Sequence, residues 1–120
     1  MDNFGEFLRG KCMSFAVDIV YLYKHLIEDK KEYILSKQLV RSGTSIGANL
    51  VEAQNGISEK DFWAKIYISL KETAETNYWI ELLLKTNYIS QGEYNSIYKK
   101  CQELNRLFNS MAKKHNQTKN

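Results

Sequence analysis

The chain has 120 residues, 43% hydrophobic and 26% charged, with no proline, six glycines and a formal net charge of +3. That length suits one domain burying roughly two thirds of its unfolded surface, and the composition excludes a disordered chain. A chain without proline has few obligatory breaks, so long helices are favoured over many short strands, and no run approaches the ~20 apolar residues of a membrane span.

Apolar residues recur at spacings of three and four through four segments, which predicts four helices, each with one buried face. The first runs over about 4–28, with Leu8, Cys12, Phe15, Ile19, Leu22 and Leu26 on one stripe. The second, about 32–54, carries Leu35, Leu39, Ser42, Ile46, Leu50 and Ala53. The third, about 59–86, carries Phe62, Ile66, Leu70, Thr73, Asn77, Ile80 and Leu84. The fourth, about 91–113, carries Tyr94, Ile97, Cys101, Leu104, Phe108 and Met111, and the polar residues 114–120 read as a loose tail.

The breaks have their own chemistry. Ser90 to Glu93 reads as a capping box, in which hydroxyl and carboxylate satisfy free backbone N–H groups. Ser58 to Asp61 is a weaker version after the turn-prone pair Asn55-Gly56, and Asp29 to Glu32 is a candidate start for the second helix. Short connections make neighbouring helices antiparallel. The expected fold is all-α, an up-down-up-down four-helix bundle in a single domain.

The stretch "RSGTSIGANL", Arg41 to Leu50, has the glycines and hydroxyls of a phosphate loop. It lacks the Gly-Lys-Ser/Thr of one phosphate motif and the G-x-G-x-x-G of the other, and no strand precedes it. The helical stripe runs through it in phase. Each glycine costs roughly 1 kcal/mol relative to alanine in a helix interior, so small residues here point to a close approach. The expected occupants are the bulky Trp63, Tyr67, Tyr78 and Trp79 of the third helix. Thr73 and Asn77 need polar partners if buried, and Ser45 and Asn49 are the candidates.

Two patterns then resemble a known family. Gln38, Leu39, Arg41, Ser42, Ser45, Ile46, Asn49 and Glu52 match Q-L-x-R-S-x-x-S-I-x-x-N-x-x-E, and Lys71, Glu72, Glu75, Thr76, Tyr78, Trp79, Leu82 and Leu83 match K-E-x-x-E-T-x-Y-W-x-x-L-L. Over about residues 35–85 the chain resembles the four-helix bundle proteins read from intervening sequences of 23S ribosomal RNA genes. It departs where the family's commoner Glu-Gly is Glu52-Ala53. The resemblance implies a homo-oligomeric ring, a pentamer, and kinship with the accessory proteins of diversity-generating retroelements, which bind nucleic acid and a reverse transcriptase. It implies no catalytic activity, and it makes Arg41, Ser42, Ser45, Asn49, Glu52, Trp63, Tyr67, Glu72, Glu75, Tyr78 and Trp79 structural or interface residues.

A search for chemistry agrees. Di-iron bundles need Glu-x-x-His pairs, and neither His25 nor His115 follows a glutamate at that spacing. His25 with Glu28 and Asp29 is a weak metal candidate against a plain cap or solvent-facing role, so no metal or cofactor is expected. No arginine has the histidine a turn or two further on that helical RNA-cleaving domains use. Cys12 and Cys101 sit on apolar stripes without a C-x-x-C neighbour and read as packing residues in a reducing compartment. Glu72 and Glu75 with Lys71 suggest acid–base work only if a partner existed; intrahelical pairs such as Lys71–Glu75 and Glu81–Lys85 are the plainer reading. The opening "MDNFGEFLRG" lacks a basic flank before an apolar segment, so no signal peptide is expected, and cytoplasmic location is the default.

Charge is uneven along the chain. Residues 99–120 hold Lys99, Lys100, Arg106, Lys113, Lys114 and Lys119 against Glu103 alone. Such an end suits RNA or DNA, and equally suits the solubility of a terminus. Lys99, Arg106 and Lys113 recur at sevens and so share one face. The aromatic content exceeds what four narrow stripes hide, which favours self-association. The two functions carried forward are an oligomeric nucleic-acid-binding protein and a ring scaffold that docks a protein partner without nucleic acid.

Overall fold

The four stripes become four helices in a computed structural model that describes residues 3–119: α1 (Asn3–Glu28), α2 (Leu35–Gln54), α3 (Glu59–Lys85) and α4 (Gln91–Lys119). No strand occurs among the described residues. Cross-helix contacts fall in opposed numerical order. Gly43 and Gly47 meet Ile19 and Cys12; Ser42 and Ile46 meet Thr76 and Ser69; Lys11 and His25 face Glu103 and Glu93. Neighbours are therefore antiparallel, and each helix lies close alongside two others, the up-down-up-down order. The molecule measures 47 × 23 × 23 Å, and α4, with 29 residues, spans ~43 Å of the long axis.

The helix starts show how local chemistry sets the boundaries. At α4 the capping box forms as expected: Glu93 N–H donates to Ser90 Oγ at 3.1 Å and Ser90 N–H to Glu93 Oε1 at 2.8 Å. Ser58 caps α3 by accepting from Asp61 N–H at 3.0 Å. The start of α2 differs from expectation. Glu32 is not its first residue but its cap: the carboxylate accepts from the N–H groups of Ile34, Leu35 and Ser36 at 3.1, 3.0 and 2.7 Å. Burial pushes the Glu32 carboxyl up, but these bonds favour the anion and hold it below its ordinary value.

The ends differ too. Asn87, at φ 67°, closes α3 with Tyr88 N–H donating to Leu83 O and Asn87 N–H to Leu84 O, a Schellman closure with asparagine where glycine is usual. Lys31, at φ 55°, occupies the same left-handed region between α1 and α2, and its ammonium donates to Glu28 O. The fourth helix continues to Lys119 rather than fraying after Lys113, because Tyr67 of α3 holds His115 and Asn116. Of the expected tail, the Lys119 side chain and Asn120 lie outside the described residues.

The core holds Leu8, Phe15, Ile19, Leu39, Ile46, Ile66, Ile80, Leu104 and Phe108, all fully buried. A Cβ on Gly43 would lie 2.9 Å from Ile19 Cγ2, and one on Gly47 3.0 Å from Cys12 Cβ. The small patch therefore receives α1, not the aromatic residues of α3. On its other side α2 meets α3 through hydroxyls: Ser69 Oγ donates to Ile46 O at 2.8 Å and Thr76 Oγ1 to Ser42 Oγ at 2.9 Å. Thr73 finds its partner on α4, accepting from Asn105 Nδ2 at 2.8 Å, and not on Ser45 or Asn49. Ser45 and Asn49 instead donate along their own helix, to Arg41 O and Ser45 O.

Candidate nucleic-acid interface

The five basic residues singled out on α4 divide into three groups. Lys99, Arg106 and Lys113 are exposed and stand opposite the buried line of Ile97, Cys101, Leu104 and Phe108, as a seven-residue recurrence on a helix requires. Among the described residues none of the three has a carboxylate within 4 Å. Lys100 turns the other way, donating to Asp18 and, at 3.3 Å, to Ser14 Oγ of α1. Its charge is spent within the fold, which removes it from the exposed set. Lys114 stands at the rim of a hollow of about 470 Å³ floored by Leu107, Met111 and Trp63.

Beside the ridge, Arg106, Asn109, Lys113 and Asn116 line a groove of about 750 Å³ whose far wall is Tyr67 and Leu70. Cations and amide donors along one bank suit a phosphate backbone, which needs positive charge and N–H groups without base-specific geometry.

The residues of the two family-like patterns gather elsewhere, along α2 and α3. Arg41 Nη2 lies 3.3 Å from Glu75 Oε1 and 3.5 Å from Gln38 Oε1, and Trp79 Nε1–H donates to the same Glu75 oxygen at 3.4 Å. Glu75 thus pairs across helices rather than with Lys71. Glu72 lies beside it, only 7% exposed, with Oε2 buried and unpartnered. Burial, reinforced by the Glu75 charge and opposed by Arg41 and Lys71, raises its pKa. Glu52 pairs with Lys65 at 3.4 Å. Tyr78 is 58% exposed and stands edge-on to Trp79, 5.1 Å between centroids. Ser42 is fully buried against Thr76.

Trp63 and Tyr67 lie at the opposite edge of α3, against α4. Trp63 stacks on His115 with 4.0 Å between centroids and 14° between planes. Tyr67 O–H donates to Asn116 Oδ1 at 2.9 Å and lies 3.1 Å from His115 Nδ1. His115 was not singled out from sequence, although it continues the Phe108–Met111 stripe in phase, which is the signal that places it.

The remaining chemical candidates are occupied. Both thiols are free and buried, and burial pushes each up to about 12, so neither is a nucleophile at neutral pH. His25 Nδ1 lies 2.7 Å from Asp29 Oδ2 and Nε2 3.9 Å from Glu93 Oε2. No group of three potential metal ligands occurs among the described residues, and no helix there is long and apolar enough to cross a membrane. On α1, opposite the core stripe, Met13, Val17 and Tyr21 are 62%, 45% and 67% exposed.

Comparison with known proteins places this geometry. The model of the 23S rRNA-intervening sequence protein family matches residues 8–110. Among solved structures, the chain is similar to a protein with unknown function from the S23 ribosomal protein family of Bacteroides thetaiotaomicron VPI-5482, whose crystal structure is known at 1.70 Å. The two share 48% identity and a TM-score of 0.88, over 91% of this chain and 97% of that one. No curated protein matches the chain.

Proposed function

This chain belongs to the 23S rRNA-intervening sequence protein family, and we propose that it is a non-catalytic, self-associating helical bundle that binds RNA or DNA through the outer ridge of α4. The observation that carries this reading is the row of Lys99, Arg106 and Lys113, exposed in phase and without an acidic partner among the described residues. A ridge used only for solubility has no need of phase or of the donor-lined groove beside it. In a filter-binding titration with RNA and DNA at two salt levels, the protein binds at low salt and releases at high salt. Absence of binding at low salt overturns the reading.

Self-association rests on α1. A helix in a bundle needs one apolar face, yet α1 has a second in Met13, Val17 and Tyr21, opposite its core stripe. We assign that face to contacts between copies, in the pentameric ring that the resemblance implies, acting in the cytoplasm where two free thiols persist. Sedimentation then gives a mass well above one chain, and Val17→Glu yields a folded monomer.

The same face supports a second reading, a ring-shaped scaffold that docks a protein partner, a reverse transcriptase among the candidates. Pull-down of a partner that survives nuclease treatment, with no direct oligonucleotide binding, favours the scaffold.

A further inference from the structure

At the end of the bundle where α1 begins and α4 ends, α3 and α4 build a flat aromatic wall whose Phe62 and Trp63 pack on the core at its edge. Trp63 and His115 are stacked within 14° of parallel, Phe62 stands edge-on to the indole at 5.1 Å, and Tyr67 anchors His115 from the side. Trp63, Tyr67 and His115 all keep part of their surface in solvent. The wall divides two hollows of about 470 and 530 Å³, both within the ~300–1,000 Å³ range of small-ligand sites.

Each hollow carries a lysine, Lys114 in one and Lys60 in the other, with Glu59 the sole acid lining either. An apolar slot with an aromatic side and an ammonium at the rim fits a planar ring that bears an anion. A nucleotide has both parts; an aromatic side chain of a protein has the ring without the charge. The Arg106–Lys113 groove shares Ser110 with the first hollow and Tyr67 with the second. Wall and cationic ridge are therefore one continuous surface.

We propose that the hollow floored by Met111 and Leu107 takes a base of single-stranded nucleic acid, stacked on the Trp63–His115 wall with its phosphate at Lys114, while the strand continues along the groove to Lys113 and Arg106. The inference rests on the nucleic-acid reading of the ridge and adds to it a preference. Bases in a duplex are stacked on one another and cannot offer a face, whereas every base of a single strand can, so recognition is sequence-tolerant and strand-selective.

The test is titration of the full chain with a labelled oligouridine, the matching oligothymidine and a duplex of equal length. Trp63→Ala removes the wall but touches residues packed on the core, so Thr118→Trp, an exposed position that lines the hollow and not the groove, is the second variant. Wild type favours both single strands over duplex. Each variant weakens single-strand binding about 5- to 150-fold and leaves duplex binding unmoved, with helix content preserved by circular dichroism. Single-strand binding by Thr118→Trp equal to wild type, with loss confined to a Lys99→Ala, Arg106→Ala, Lys113→Ala variant, overturns the stacking site and leaves the ridge standing. Wild type that binds none of the three ligands at low salt overturns both.

Discussion

Helix α1 meets its two neighbours by opposite means. Toward α2 the contact is dry and close: glycines 43 and 47 leave no side chain, and Ile19 and Cys12 occupy the space. Toward α4 the seam is looser and its rim is ionic, with Lys11–Glu103 at 3.3 Å, Asp18–Lys100, and His25–Glu93 at 3.9 Å. Lys11, Asp18 and His25 follow one another at sevens, so the pairs run the length of the seam. Register on one side is set by shape, which tolerates no added atom. On the other it is set by long side chains, which adapt and are screened by salt.

The largest effect falls on the dry side. Gly47→Leu forces a branched side chain against Cys12 and lowers the unfolding free energy by ~3 kcal/mol, the upper end for overpacking, in chemical denaturation. Gly10→Ala on the same α1 is the control. Nothing lies within 4 Å of a Cβ there, so the change stabilises by ~0.5–1 kcal/mol through helix propensity alone. Equal outcomes at the two glycines would erase the distinction between a close approach and a passive gap.

Next comes the connection that sets the α1–α2 register. Glu32→Gln loses about 1–2 kcal/mol at neutral pH, where the anion caps three N–H groups. The folded-state pKa of Glu32 is depressed, so this stabilisation is whole above the ordinary glutamate value of about 4.3 and fades as pH falls through the lower folded value. Stability curves of the two proteins therefore converge in acid. A gap that persists undiminished there contradicts the capping role.

The ionic side yields the smallest effect. Lys11→Ala costs under ~1 kcal/mol in low salt, since both members of its pair are exposed, and the difference shrinks as ionic strength rises. A loss that salt leaves intact would mean that Lys11 acts instead through its ammonium over the Phe7 ring, 5.5 Å from the centroid.

Much of this was legible from residue order, and the failures share a cause. Three stripes reappear as the buried faces of their helices, because apolar spacing reports a face directly. The stripe of α3 was only half seen. Its buried face also includes Ser69, Glu72 and Thr76, polar residues that an apolar pattern passes over, two of which, Ser69 and Thr76, bond α2 through their hydroxyls. The thinness of α2 at Arg41–Leu50 was readable from glycine cost, but which neighbour fills it depends on how the helix is rotated, a long-range property. Likewise Trp63 and Tyr67 were visible as large rings, whereas their stacking on His115 joins the start of one helix to the end of another. The ridge of Lys99, Arg106 and Lys113 was legible because it is local to one helix; the capture of Lys100 by Asp18 was not, because it crosses to another.

The most direct measurement on the central claim is the salt dependence of oligonucleotide binding, wild type against Lys99→Ala, Arg106→Ala, Lys113→Ala. Three phosphate contacts on a single strand contribute about 2 to the slope of log K against log salt for each bound protomer. The account predicts that the variant loses that much slope together with most of its affinity at low salt. A variant that keeps both the slope and the affinity of wild type would contradict it.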